Sequence, residues 1–114
     1  MILTIEQKQI APDITVLELT GRIVLGNNSR DVELKLGELL RDRARKIIFD
    51  LKGVNMLDST GVGILVVCKG KMAKEGGELR IAGATGIVDE VLRMTSVNKL
   101  MQFFPSVQEA AAGF

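Results

Sequence analysis

Asp58-Ser59-Thr60-Gly61 places a carboxylate, two hydroxyls and a glycine in consecutive positions, and the flanks decide what chemistry they can do. Lys46 to Leu51 before them reads as a strand, and the apolar run Val62 to Met72 after them reads as a helix. Ser59 therefore stands where a helix begins. The first backbone N–H groups of a helix lack intrahelical acceptors and carry the positive end of its dipole, so a phosphate attached to Ser59 is favoured there. A plainer role is open to the same residues, since Asp58 or Ser59 can cap the helix at a value of about 0.5–2 kcal/mol. Gly61 and Gly63 leave the first turns without bulk, at a cost of roughly 1 kcal/mol each relative to alanine. Close approach of another protein explains such a cost, and so does tight packing against a sheet.

Other chemistries are poorly supplied. The chain has 0 histidines, which removes the usual base for a serine nucleophile and the commonest zinc, copper or iron ligand. A nucleophile elbow needs glycine two positions before the serine, where this chain has Leu57. Gly61-Val62-Gly63 is followed at Val66 by no third glycine, and Gly70-Lys71 lacks both the spaced upstream glycine and a following Ser or Thr. The expectation is a protein without enzymatic activity, cofactor or metal. With 15 basic and 14 acidic residues, net +1, no Trp or Tyr and only 4 Phe, it has neither the charge nor the stacking surface for nucleic acid or an anionic membrane. The single cysteine, Cys68, reads as a small core residue. No secretory leader or membrane-length apolar run is legible, so the expected location is the cytoplasm.

The elements that position Ser59 can be read in order. With 114 residues and 46% hydrophobic content, the chain suits one domain, 1–114. Ile2 to Glu6 and Ile14 to Thr20 read as a hairpin turned at Pro12-Asp13. Gly26 to Ser29 supplies turn and cap residues for a helix with Val32, Leu36, Leu39 and Leu40 on its inner face and Arg30, Glu33, Lys35, Glu38 and Arg41 outside. Ile47-Ile48-Phe49 is apolar without alternation, as in a central strand covered on both faces. In the next helix Ile64, Leu65, Cys68 and Met72 form a core stripe, and Val62 and Val66 widen it enough to be candidate partner contacts or further core. Gly76-Gly77 turns into a strand over Glu78 to Ala82. A short helix follows with Val88, Val91 and Leu92 on one side, then a last strand over Met101 to Phe104. Ser106-Val107-Gln108-Glu109 has capping-box spacing and opens a final helix. The result is an α/β domain with a mixed, mostly parallel sheet of about five strands and about four helices.

The stretch from Ile47 to Gly63, IIFDLKGVNMLDSTGVG, resembles the signature of the STAS domain, specifically of the bacterial anti-sigma factor antagonists, and the likeness spans nearly the whole chain. The resemblance implies that Ser59 is phosphorylated by an anti-sigma factor that is itself a serine kinase and binds the ATP. It further implies that the unphosphorylated form binds this partner and frees the sigma factor, and that a phosphatase removes the phosphate. Asp58, Ser59, Thr60, Gly61, Val62, Gly63 and Val66 are then the partner-binding residues. Within that frame Asp58 is either the cap or a carboxylate presented to the kinase.

One departure stands out. Antagonists of this family commonly carry Gly-x-Leu/Ile-Asp after the second strand, whereas this chain reads Gly21-Arg22-Ile23-Val24-Leu25. Val24 replaces the acid, and the Val24-Leu25 pair is expected to tuck into the core. Two other function classes remain open: a STAS subunit regulating a membrane transporter or larger signalling complex, in which Ser59 is only a cap, and a small-molecule or nucleotide-binding STAS domain.

Overall fold

The computed structural model describes residues 2–114. β1 (Thr4–Ala11) and β2 (Ile14–Ile23) form an antiparallel hairpin through Pro12-Asp13, and β3 (Lys46–Leu57), β4 (Glu78–Ala82) and β5 (Phe103–Phe104) continue the sheet in parallel. The strand order β1-β2-β3-β4-β5 is the order of the chain. Between the parallel strands run α1 (Arg30–Arg41), α2 (Ser59–Lys74) and α3 (Gly86–Met94), the last followed by a 3-10 turn at Val97–Lys99; α4 (Val107–Ala111) closes the chain. A sheet that grows in one direction through right-handed crossovers must put every crossover helix on the same face. Accordingly Leu17, Leu19, Ile47, Phe49, Leu51, Leu79 and Ile81 pack with Val32 and Leu36 of α1, Leu65, Cys68 and Met72 of α2, and Val88 and Leu92 of α3 in one core.

The opposite face is left to α4. Alternate strand residues Ile14, Val16, Ile48 and Ala82 meet Ala110 in a second, smaller core, which explains the unbroken apolar run at Ile47-Ile48-Phe49. Arg80 lies on this face, 8% exposed, and a buried cation requires partners. It donates to the Ala110 carbonyl (2.8 Å) and the Glu78 carboxylate (2.8 Å), with its guanidinium 4.1 Å from the centre of the Phe114 ring. A charged strand position thus fastens the C-terminal helix. Ser106 Oγ accepts the Glu109 N–H at 3.1 Å, as its spacing predicts.

Several boundaries differ from the sequence reading. β1 runs Thr4–Ala11 rather than Ile2 to Glu6, because backbone pairing to β2 carries the polar Gln7-Lys8-Gln9 segment that no apolar pattern marks. β2 continues to Ile23, the last strand contracts to Phe103–Phe104, and the 3-10 turn has no apolar periodicity to announce it. β3 continues six residues past Leu51, through Lys52-Gly53-Val54-Asn55, which has the composition of a turn. Register shifts between Glu18 and Thr20, and again between Gly21 and Arg22, show how the strand absorbs them: β3 bulges while staying paired to β2. Ser29 precedes α1 but its side chain caps nothing; its buried hydroxyl donates to the Val24 carbonyl at 3.0 Å. Leu40 is half-buried at the rim of the core beside the buried Val32, Leu36 and Leu39. Cys68 is buried as expected, and desolvation, aided by the Glu33 charge, pushes its thiol pKa up to about 12.

Candidate functional site

Because β2 and β3 are parallel and Ile23 pairs with Leu57, the segments that follow them emerge at the same sheet edge. This is the C-terminal edge of the parallel strands, where α/β sheets commonly place their sites. Asp58 is the N-cap of α2 in extended conformation, and Ser59 is its first residue. The Asp58 carboxylate uses both oxygens: Oδ1 accepts the Gly61 N–H at 2.9 Å, and Oδ2 accepts the Leu25 N–H at 3.0 Å. One side chain therefore closes the first turn of α2 and fastens the loop after β2, although 33 residues separate the partners.

Of the two explanations for the glycines, tight packing against the sheet accounts for Gly61. A methyl group on Gly61 would sit 2.1 Å from the Ile23 carbonyl oxygen and 2.6 Å from a Leu57 methyl, so α2 can rest on the end of β2 only without a side chain there. Gly63 has nothing within 4 Å of its added carbon and faces solvent. Its missing side chain leaves room outside the protein, where a partner can approach.

Ser59 is exposed, Asp58 and Thr60 are half-buried, and Gly61 is buried. Val62 is half-buried and packs on the main core, whereas Val66 is exposed. Ser59, Gly63, Val66, Val67 and Gly70 are all exposed, and their spacing puts them along one side of α2. The Ser59 hydroxyl thus heads a solvent-facing stripe that carries no charge as far as Gly70, before the exposed Lys71 and Lys74 of the last turn. Away from this stripe, a concavity of about 480 Å³ lies between the Pro12-Asp13 turn and Arg43 to Lys46, at the opposite end of β3.

The anion site expected at the helix start is partly filled by the protein itself. Asp58 Oδ1 occupies the Gly61 N–H and the Asp58 carbonyl takes the Val62 N–H at 2.9 Å. Donors for an added phosphate narrow to the N–H groups of Ser59 and of Thr60, the latter already turned toward the Asp58 carboxylate. Burial alone pushes the Asp58 carboxyl up, but hydrogen bonds from the N–H groups of Leu25, Gly61 and Thr60 outweigh it and hold the pKa below the ordinary aspartate value. The lowered pKa makes the clasp a contribution present above the unfolded-state pKa and lost as pH falls through the folded one. The Leu25 and Gly61 amide resonances should therefore titrate together, with a midpoint below the ordinary aspartate value. A midpoint at or above that value would count against the clasp.

Asp58→Asn is not the neutral substitution it seems from sequence. Asn keeps one acceptor for Gly61 but turns an amide NH2 toward the Leu25 N–H, so it caps the helix and releases the loop.

Sequence reasoning missed Leu25. Rather than tucking into the core, Leu25 is 76% exposed, and Val24 is half-buried. Polar bonds hold the loop in place of apolar burial: Ser29 Oγ and the Asn27 N–H donate to the Val24 carbonyl, and Asn27 Nδ2 donates to the Arg22 carbonyl at 2.8 Å. The available signal was an aspartate carboxylate with a second oxygen to satisfy, beside a loop rich in Asn and Ser.

The fold is shared with known proteins. An anti-sigma factor antagonist from Mycobacterium paratuberculosis has the same fold with a TM-score of 0.85 at 21% identity, over 96% of this chain and 92% of that one. The Bacillus cell fate determinant SpoIIAA, in its phosphorylated form, matches with a TM-score of 0.73 at 16% identity, over 96% of this chain and 97% of its own. A sulfate transporter family protein from Wolinella succinogenes matches with a TM-score of 0.74 at 19% identity, over 92% and 87% respectively. At these identities the likeness is one of fold. The family itself is shown by the STAS domain model, which matches residues 7–110, and the chain belongs to the STAS domain family.

Proposed function

We propose that this protein is an anti-sigma factor antagonist, active as a binding partner rather than as an enzyme, and that phosphorylation of Ser59 switches the binding off. The observation that carries the reading is the exposed hydroxyl at the first position of α2, at the head of a stripe that bears no charge as far as Gly70. A visiting kinase reaches this oxygen without any rearrangement of the fold. The partner is an anti-sigma factor serine kinase that binds the ATP, the Ser59 phosphate is removed by a phosphatase, and the exchange takes place in the cytoplasm. Asp58, Ser59, Thr60, Gly61, Val62, Gly63 and Val66 form the docking surface, with Gly61 and the core-packed part of Val62 shaping it from beneath. A neighbour of the same fold exists in a phosphorylated form, which supports the view that such a domain carries the modification.

The test is phosphotransfer. The chain is recovered with its bound kinase from the native cell, supplied with ATP, and mapped by mass spectrometry. One phosphate should appear on Ser59, none on the Ser59→Ala variant, and the usual amount on Thr60→Ala. Transfer to another residue, or no transfer, would sink the reading. The likeness to a sulfate transporter family protein favours a second reading, a regulatory STAS subunit of a membrane transporter. In that case the co-purified partner is an integral membrane protein and Ser59 remains unmodified.

A further inference from the structure

We infer that Leu25 is an apolar anchor for the kinase that docks on Ser59, and that Asp58 is the positioning residue that holds this anchor beside the acceptor. The inference rests on the proposed partner-facing role of Ser59. It adds what the partner must bring: an uncharged, apolar recess adjoining its acceptor groove.

A lone exposed leucine is ordinary. What sets Leu25 apart is that its side chain is 76% exposed while its backbone is pinned. The Leu25 N–H is bonded to Asp58, and the neighbouring Val24 carbonyl accepts from both Ser29 Oγ and the Asn27 N–H. Displayed from a loop already fixed, the side chain loses little further freedom when a partner covers it, which is how preorganisation raises affinity.

The occupant follows from proximity. Leu25 N lies 3.0 Å from Asp58 Oδ2, and Asp58 is the residue before the acceptor. A catalyst that aligns a phosphoryl donor with Ser59 Oγ must hold the groups in near-attack geometry, and so must cover the loop next to it. The recess follows from charge. Val24, Leu25, Gly26, Asn27 and Asn28 carry none, and neither does the exposed stripe of α2. Asp58, the ionisable group next to the acceptor, already spends both carboxylate oxygens on backbone N–H groups, so the uncharged loop and stripe around it are matched by apolar burial and shape, not by an ion pair.

Two measurements test the two halves. Hydrogen exchange needs no partner: in Asp58→Asn the Leu25 amide should exchange at least about tenfold faster while the Phe49 amide in β3 keeps its protection. Equal exchange at Leu25 would overturn the positioning role. Binding is measured with the kinase identified by its transfer of phosphate to Ser59. Leu25→Ala should weaken the complex about tenfold at an unchanged melting temperature. Leu25→Asp and Leu25→Lys should weaken it further and to similar extents, because either charge is stranded in an apolar recess. Asp58→Asn should weaken binding when Leu25 is present and clearly less in the Leu25→Ala background, a coupling that a merely structural role does not produce.

Leu25→Ala binding within about twofold of the wild type, or a gain with one charge and a loss with the other, overturns the anchor. Overturned that way, with wild-type Ser59 still phosphorylated, only this inference fails; no phosphotransfer to the wild type removes the parent reading and this one together. If the chain alone sediments as a dimer that Leu25→Asp dissociates, the leucine belongs to a seam between two copies, and the inference is again wrong.

Discussion

Phosphorylated on Ser59, the protein should bind its anti-sigma factor at least about 100-fold more weakly than the unmodified form, a difference of about 2.7 kcal/mol. The modification adds about −1.5 to −2 charges at neutral pH, moving the net charge from +1 to about −1. Part of that charge is welcome at a helix N-terminus, where the dipole contributes up to about 1 kcal/mol at an exposed position. Here the welcome is reduced. Asp58 already stands as an anion at this end of α2 and has taken the Gly61 N–H, so the phosphate depends on the N–H groups of Ser59 and Thr60 and on water.

In the complex the water is lost, and burying an ion without a dedicated counter-charge costs several kcal/mol. The exposed face of α2 carries its lysines, Lys71 and Lys74, in the last turn, far from Ser59, so the penalty falls on binding and little of it on the fold. Titration calorimetry of both forms against the same kinase measures it, and thermal melts should differ by only a few degrees. Ser59→Asp, with one charge on a shorter side chain, should lose about tenfold, and Ser59→Ala should bind within about threefold of the unmodified protein. Equal affinity of the phosphorylated and unmodified forms would refute the switch.

How much of this was legible beforehand depended on whether a residue's role is set locally or across the sheet. The α2 core stripe of Ile64, Leu65, Cys68 and Met72 could be read because helical periodicity is a property of neighbours in sequence, and all four are buried. The exposed Ser59 followed from the same logic, since a hydroxyl just after a cap and just before an inward-facing stripe points outward. The run Lys52 to Asn55 looked like a turn because its strand character comes from β2, whose residues Thr20 and Gly21 pair with Gly53 and Val54. The role of Arg80 is silent in the strand Glu78 to Ala82 because nothing nearby in sequence announces the Ala110 carbonyl it serves 30 residues later. Leu25 was misread for a related reason: composition prices an apolar residue by its side chain, whereas this loop is held by its backbone. What the chain concealed are the long-range polar bonds, and one of them, from Leu25 to Asp58, builds the site.

Gly61→Ala should be among the most destabilising single-methyl additions in this protein, by roughly 3 kcal/mol, with a melting temperature lower by about 10–15 °C. Its new carbon would lie 2.1 Å from the Ile23 carbonyl oxygen and 2.6 Å from the Leu57 side chain. The leucine can turn away, but the carbonyl belongs to a strand end paired with β3 and cannot. To relieve the clash α2 must lift from the sheet edge, pulling Asp58 from Leu25 and exposing the edge of the main core. The gain in helix propensity on replacing glycine, about 1 kcal/mol, offsets only part of this.

Gly63→Ala makes the comparison decisive. Two residues further on, the same methyl meets nothing within 4 Å, so the propensity gain stands alone and the isolated protein should be more stable by about 0.5–1 kcal/mol. On the proposed docking surface that methyl occupies space the partner fills, and Gly63→Ala should bind the kinase more weakly despite its higher melting temperature. Opposite signs for stability at the two glycines, with weakened binding at the more stable variant, separate a glycine needed by the fold from one kept for a partner. A Gly63→Ala protein that is both more stable and fully competent to bind would remove Gly63 from the docking surface.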